Sequence, residues 1–249
     1  MLTDPSIHIK ANAMDCWQHT QIQTLLEAKS RPALVSALAR ITADLGFEYF
    51  SFYLRLPLPI TRPATECLSN YPQAWLDYYW EHNYNNIDPT IAHGRQSMIP
   101  ILWQDSMTTG SRLFWRDAQD HGLRAGLAQP CHGPGGTYGL LNLGCSDHRL
   151  SSEKLRTQSF RLTWLAQAIN QSVNSLQRKR LMPGAHNKLT SREIEVLRWT
   201  ADGKTASEVG CIMGISERTV NFHVGNSLVK LDATNKTSAV IKAAMLGLL

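Results

Sequence analysis

The sequence predicts two domains of different class: an α/β part built as an α/β/α sandwich around a central antiparallel sheet, then an all-α helix-turn-helix part. The first rests on strand-like runs that alternate with helical ones up to a heptad-spaced series, Leu155, Leu162, Ile169 and Leu176. The second rests on three successive helix starts near the C-terminus. Thr190 precedes Glu193 by three positions and Thr205 precedes Glu208 by three, each the spacing of a capping box. Ser216 opens the third helix directly after Gly214-Ile215, which supplies a tight turn. The expected boundaries are 1–177 for the first domain, 178–187 for a linker, and 188–249 for the second.

Composition narrows the possibilities. A chain of 249 residues suits two unequal domains, and 43% hydrophobic with 18% charged residues leaves ample material for ordinary cores. The net charge of +5 is concentrated from Arg178 onward, so a basic C-terminal module sits beside a near-neutral larger one. Cys16, Cys67, Cys131, Cys145 and Cys211 are odd in number and scattered, the usage of free thiols in a reducing cytosol. The N-terminus has no signal-peptide pattern, and no run approaches the roughly 18 apolar residues of a membrane helix, so a cytoplasmic chain without a membrane partner is expected.

In chain order, residues 1–20 carry little pattern. Leu34, Leu38, Ile41 and Leu45 predict a helix ended by Gly46. Phe47 to Leu56 predicts a strand with Phe50, Phe52 and Leu54 on one face and Tyr49, Ser51 and Tyr53 on the other. After a Pro-rich turn, Pro72 can start a helix carrying Trp75, Tyr78 and Tyr79. Asp88-Pro89 reads as an N-cap with proline at the first helical position, for a helix through Gln96. Strands are expected at Ile99–Trp103, Leu127–Cys131 and Tyr138–Cys145, with Gly133–Gly136 as a hairpin turn and a helix from Arg112 to His121. The heptad leucines predict a long helix of about 25 residues with one apolar stripe. Arg178–Asn187, with Pro183 and Gly184, reads as the linker.

On the helix after Ser216, Val220, Val224, Leu228 and Leu231 form a stripe for packing. The other side presents Arg218, Thr219, Asn221, Phe222, His223, Asn226 and Lys230. Asn suits the major-groove edge of adenine, and Arg, Thr and Lys suit phosphates. Lys204-Thr205 stands at the start of the preceding helix, where free amides and the dipole favour a phosphate. Double-stranded DNA is therefore the expected partner of this end.

The stretch from Leu189 to Leu248 resembles the C-terminal domain of LuxR-type transcription regulators, with Glu193, Leu197 and Gly203 at that family's hallmark positions. The resemblance implies a fourth helix that helps dimerisation, and base-reading positions at Asn221 and Gly225. Glycine at the second is a departure, since it has no side chain to reach a base. "SNYPQAWLDYYWEHNYNNIDPTIAHGRQSMIPILW" is similar to the acyl-homoserine-lactone binding domain of quorum-sensing members, matching the signature at Trp75, Tyr79, Asp88, Pro89, Trp103 and Gly126. The run "LPLPITRP" before it resembles the SdiA-type members, which often lack a partner synthase. No receiver-domain pattern of acidic pair and phosphoacceptor Asp is present.

An N-acyl-homoserine lactone offers one amide N–H, two carbonyls and an apolar tail. In an apolar pocket each polar group needs a partner, because an unmade bond costs roughly 1–3 kcal/mol. Asp88 can accept the amide N–H, Tyr79 can donate to the acyl carbonyl, and the Trp75 indole can donate to the lactone carbonyl. Tyr71, Trp103, Phe114 and Ala118 are expected as ring walls, and Leu56, Ile91 and Leu140 along the tail. Asn142 occupies the place where the family usually has Ser or Thr beside the acyl carbonyl, and Ser51 can share that role. Each has a structural alternative: Asp88 as an N-cap alone, Trp75 and Tyr79 as core.

Other patterns carry less. Cys131-His132 with Cys145, Asp147 and His148 lacks zinc-knuckle spacing, so no metal is expected. Gly133–Gly136 lacks the Lys-Ser/Thr of a phosphate loop, so no cofactor is expected either. Asp88 with His93 would suit a lactone hydrolase, but no nucleophile supports an enzyme. The expected function is a quorum-sensing transcription activator, binding an acyl-homoserine lactone and, as a homodimer through the long helix and the terminal helix, a two-fold symmetric promoter site. A sensor of another small molecule is the alternative.

Overall fold

The structure is a computed structural model that describes residues 21–106, 111–133, 136–147, 150, 152–181 and 189–249. The chain divides into two compact units, the second taking Leu56–Ala64 and Thr137 besides the chain from Lys179 onward. The first unit holds the sheet and the second holds the C-terminal helices.

The first unit runs α1 (residues 21–27), α2 (Arg31–Asp44), β1 (Tyr49–Arg55), β2 (Thr65–Ser69), α3 (Gln73–Glu81), α4 (Pro89–Gly94), β3 (Ile101–Leu102), α5 (Arg112–Asp120), β4 (Ala125–Gly133), β5 (Thr137–Cys145) and α6 (Ser152–Leu181). The five strands form one antiparallel sheet in the order β2-β1-β5-β4-β3. Every residue of β5 is buried, so this strand is covered on both faces. The register explains the division of labour. Phe50 opposite Leu143 and Phe52 opposite Leu141 face one side; Ser51 opposite Asn142 and Tyr53 opposite Leu140 face the other. On β1 and β5 the first side is apolar, and α2 packs against β1 there with its buried stripe. The second carries the polar residues and lies under α3, α4 and α5.

Capping sets the helix starts. Ser30 accepts from Ala33 N ahead of Pro32, and Asp88 accepts from Thr90 N ahead of Pro89. Sequence and structure differ at several elements, and three of the differences are instructive. The strand β2 has no counterpart in the sequence reading: only Leu68 of its five residues is buried, so its pattern is too polar to signal a strand. The expected strand Ile99–Trp103 shrinks to two residues, and Trp103 begins a 3₁₀ turn, Trp103–Ser106. The helix α6 reaches Leu181, four residues into the expected linker, and the remainder of that linker lies outside the described residues.

The second unit contains four helices, α7 (Ser191–Ala201), α8 (Ala206–Met213), α9 (Glu217–Lys230) and α10 (Lys236–Met245). Both capping boxes are formed: Thr190 N and Thr205 N each donate to the carboxylate three residues on, at 2.7 and 2.8 Å. Gly214 closes α8 at φ 67°, a conformation open to glycine at little cost, and Ser216 caps α9 through Thr219 N. Val196, Val209, Val220 and Val224 pack α7, α8 and α9 around one core. Leu197, Leu231, Ala239 and Ala243 join α10 to it from the other side.

Candidate ligand cavity and nucleic-acid interface

A cavity lies between the polar face of the sheet and α3, α4 and α5, holding about 630 Å³ free of protein atoms with its open mouth included. Ser51, Tyr71, Trp75, Tyr79, Asp88, Trp103, Phe114, Ala118 and Asn142 all line it, residues that span more than ninety positions of sequence. Ile91 lines it as expected for the tail. Leu56 and Leu140 do not: Leu140 packs instead with Ala128 and Tyr138 against Ile91. Tyr53, Cys67, Leu76, Trp80, Thr90, Trp115 and Leu123 complete the wall without having been singled out in sequence.

Asp88 is the buried charge of the cavity, 8% exposed. One carboxylate oxygen, Oδ1, accepts from Thr90 N at 2.8 Å and from Thr90 Oγ1 at 2.6 Å. The other, Oδ2, accepts from Tyr79 Oη, at 3.0 Å. Asp88 thus caps α4 and still holds lone-pair capacity on the Tyr79 side of the cavity. Burial, the largest influence, raises its pKa above the ordinary carboxylate value against the lowering effect of the Thr90 and Tyr79 bonds. The Tyr79 hydroxyl, itself raised well above the usual tyrosine value by burial, commits its single proton to Asp88. Toward a guest it presents lone pairs, which differs from the donor role expected from sequence. Tyr71 Oη and Trp75 Nε1 make no hydrogen bond among the described residues, so two donors remain available.

Trp103 forms the floor over the sheet. A Cβ at Gly126 would lie 2.5 Å from its indole and one at Gly144 would lie 2.6 Å away, so these two glycines make the space that the ring fills. The Trp103 indole N–H donates to Asn142 Oδ1 at 3.3 Å. Indole can only donate, so this bond fixes the amide with its NH₂ directed elsewhere. Asn142 lines the cavity with an NH₂ that Trp103 does not engage. Behind Trp75, Asp117 accepts from Tyr78 at 3.1 Å and from Tyr84 at 2.5 Å, holding both rings against the Trp75 indole. Burial works to raise the Asp117 pKa, but the two phenols and Arg116 outweigh it and hold the carboxyl below its usual range. No spacing rule picks out Asp117 in the sequence. Trp115, packed on Phe114 and Trp103, keeps a buried indole N–H that has no partner among the described residues.

On the second unit, α9 exposes Glu217, Arg218, Asn221, Phe222, Gly225 and Val229, while Thr219, His223 and Asn226 are half-buried along its edges. Lys204 is exposed ahead of α8, but the Thr205 hydroxyl is occupied by its capping box with Glu208. Lys230 corrects the sequence reading: its ammonium binds the buried carboxylate of Glu193 at 2.8 Å and is not free to meet a phosphate. That bond ties α9 to α7.

Comparison with known proteins bears on both units. The autoinducer binding domain family matches residues 30–173, and the bacterial regulatory proteins, luxR family, match residues 187–243. The chain belongs to the LuxR family of transcription regulators. Among LuxR-family relatives, the transcriptional activator protein AnoR of Acinetobacter nosocomialis is 39% identical, the alignment covering 95% of this chain and all of AnoR. The quorum-sensing regulator RhlR of Pseudomonas aeruginosa is 39% identical over 86% of this chain and 88% of its own. The crystal structure of Escherichia coli SdiA superposes with a TM-score of 0.80 at 31% identity, covering 94% of this chain and 98% of SdiA. A second SdiA structure, in complex with octanoyl-rac-glycerol, gives a TM-score of 0.77 at 29% identity over 98% of this chain and 97% of that one. The family is one of transcriptional regulators rather than enzymes, with an autoinducer-binding unit and a DNA-binding unit.

Proposed function

We propose that this LuxR-family regulator binds an N-acyl-homoserine lactone in the first unit and, as a homodimer, a two-fold symmetric DNA site with the second. The observation that carries the ligand reading is the arrangement of one buried acceptor, Asp88 Oδ2, beside unpartnered donors on Tyr71 and Trp75 in an aromatic cavity. An acyl-homoserine lactone presents the complement: one N–H, two carbonyls and an apolar tail. The expected contacts are Asp88 to the amide N–H, Trp75 to the lactone carbonyl, and Tyr71 with Asn142 to the acyl carbonyl. Tyr53, Cys67, Leu76 and Trp80 also line the cavity and suit the tail.

For the dimer, the α6 stripe from Leu162 to Val173 is already committed to its own unit. Leu162, Leu165, Ile169 and Val173 are buried inside their own unit, and the same helix exposes Phe160 and Trp164 instead, 51% and 47% accessible. On α10, Ala239 and Ala243 are likewise inside. These two exposed rings, Phe160 and Trp164, are the surface we assign to symmetric pairing of the first unit.

The test is a thermal-shift series on the full chain with lactones of increasing tail length. A ligand-dependent rise in melting temperature is expected; no rise at millimolar concentrations of any lactone would sink the reading. The SdiA complex with octanoyl-rac-glycerol supports a second reading, a sensor of acyl glycerols, which offer hydroxyl donors in place of the amide. Including 1-octanoyl-glycerol in the series decides between them.

A further inference from the structure

Four residues of α9 fall on one line at spacings of four, three and four: Arg218, Phe222, Gly225 and Val229. All four are exposed, and the opposite face of the helix, Val220, Val224 and Ser227, is already buried in the core of the unit. Phe222 is 63% accessible and Val229 is 80% accessible, so this helix of a DNA-binding unit shows water an apolar line rather than a wholly polar one. Gly225 lies at the centre. A Cβ built there meets nothing within 4 Å, so internal packing does not demand a glycine at this position. Its effect is outward: it leaves a recess one turn from the phenyl ring, and whatever α9 approaches can come close to the backbone beside Phe222.

We propose that Phe222, one turn before the Gly225 recess, reads the 5-methyl group of a thymine in the major groove. Thymine is the one base that presents a methyl there, and an apolar side chain is the group that recognises it. The neighbours on the same face suit the surroundings of such a contact. Arg218 is one turn before Phe222, where a guanidinium reaches a phosphate or a guanine edge. Asn221 Oδ1 lies 3.5 Å from Lys236 Nζ, which turns its NH₂ toward acceptors on the bases. Glycine at 225 removes one polar reader, and the adjacent phenyl supplies an apolar one.

The inference rests on α9 being the DNA-reading helix, and the experiment separates the two. Preferred duplexes are selected by the full chain from a pool of randomised sequence, in the presence and absence of N-octanoyl-homoserine lactone. Each thymine of the selected half-site is then replaced singly by deoxyuridine, which deletes the methyl and keeps the hydrogen-bonding pattern. For the natural chain, one thymine per half-site should show an affinity loss of about three- to five-fold, the effect of one buried methyl. For Phe222→Ala that loss should vanish, and for Phe222→Leu most of it should return. An unchanged melting temperature confirms that the exposed substitutions leave the fold intact. Equal affinity for thymine and uracil at every position, or a loss that persists in Phe222→Ala, overturns the proposal while leaving α9 as the reader. Failure to enrich any duplex overturns both.

Discussion

Asp88 holds two duties on two oxygen atoms, and the distinction predicts how it fails. In Asp88→Asn the carbonyl oxygen must stay on Thr90, whose N–H and O–H both point at Oδ1. The NH₂ then takes the place of Oδ2 and faces Tyr79 and the guest, so a ligand N–H meets a donor. Affinity for a lactone should fall about 10- to 100-fold, the worth of a charge-assisted hydrogen bond, measured by calorimetry. Retained affinity would return Asp88 to helix capping alone. The sign of its pH effect follows from its raised pKa. The free protein gains nothing from the ionised carboxyl and loses stability as pH rises from 3.8 through the folded-state value. A ligand N–H restores part of that loss, so the ligand-induced shift should grow over the same interval. A second prediction concerns the floor. In Gly126→Ala the new methyl would sit 2.5 Å from the Trp103 ring, which must move and lose its bond to Asn142. Overpacking should cost about 1–3 kcal/mol and alter tryptophan fluorescence; an unchanged melting curve and spectrum would show that the ring has room to spare.

At the scale of elements, the second unit relies on its capped helix starts and on a buried ion pair that ties α7 to α9. Glu193 satisfies the Thr190 amide and binds Lys230 across to α9 while itself only 3% exposed in its side chain. Burial works to raise its pKa, but the Lys230 and Thr190 bonds outweigh this and hold it below 4.5. Its contribution is therefore present above 4.5 and is lost as pH falls through the lower folded value. Glu193→Gln keeps the cap geometry and leaves the Lys230 charge uncompensated. It should destabilise this unit by about 2–3 kcal/mol, below the range for a fully buried pair because Lys230 is 25% exposed. The measurement is urea unfolding at pH 7 and pH 4; equal stability of variant and natural chain at pH 7 would contradict the assignment. In the first unit the elements were legible wherever one chain segment carries its own signal. Asp88-Pro89, the alternating β1 and the heptads of α6 all are of this kind. The strand β2 was not legible, because Thr65, Glu66, Cys67 and Ser69 become a strand only through pairing with β1.

For the whole molecule, two units with separate cores predict a ligand effect that is not shared evenly. A guest at a hundred times its dissociation constant adds about 2.7 kcal/mol to the state that binds it. That is a large fraction of the stability of a single domain. Calorimetry should show the transition of the sheet-containing unit move upward with lactone while that of the helical unit moves much less.

By itself the sequence determined the order of the two domains, the capped helix starts and many of the residues that line the cavity, because these are properties of short segments or of a recognisable family pattern. Tertiary structure decided which oxygen of Asp88 stays available, where the Tyr79 proton goes, and that Asp117 stands behind Trp75. It also assigned Lys230 to Glu193 and Leu162 and Leu165 of α6 to the interior. Each of these depends on what lies across the cavity or on a neighbouring helix, tens of residues away along the chain, and a hydrogen bond has only one proton to give.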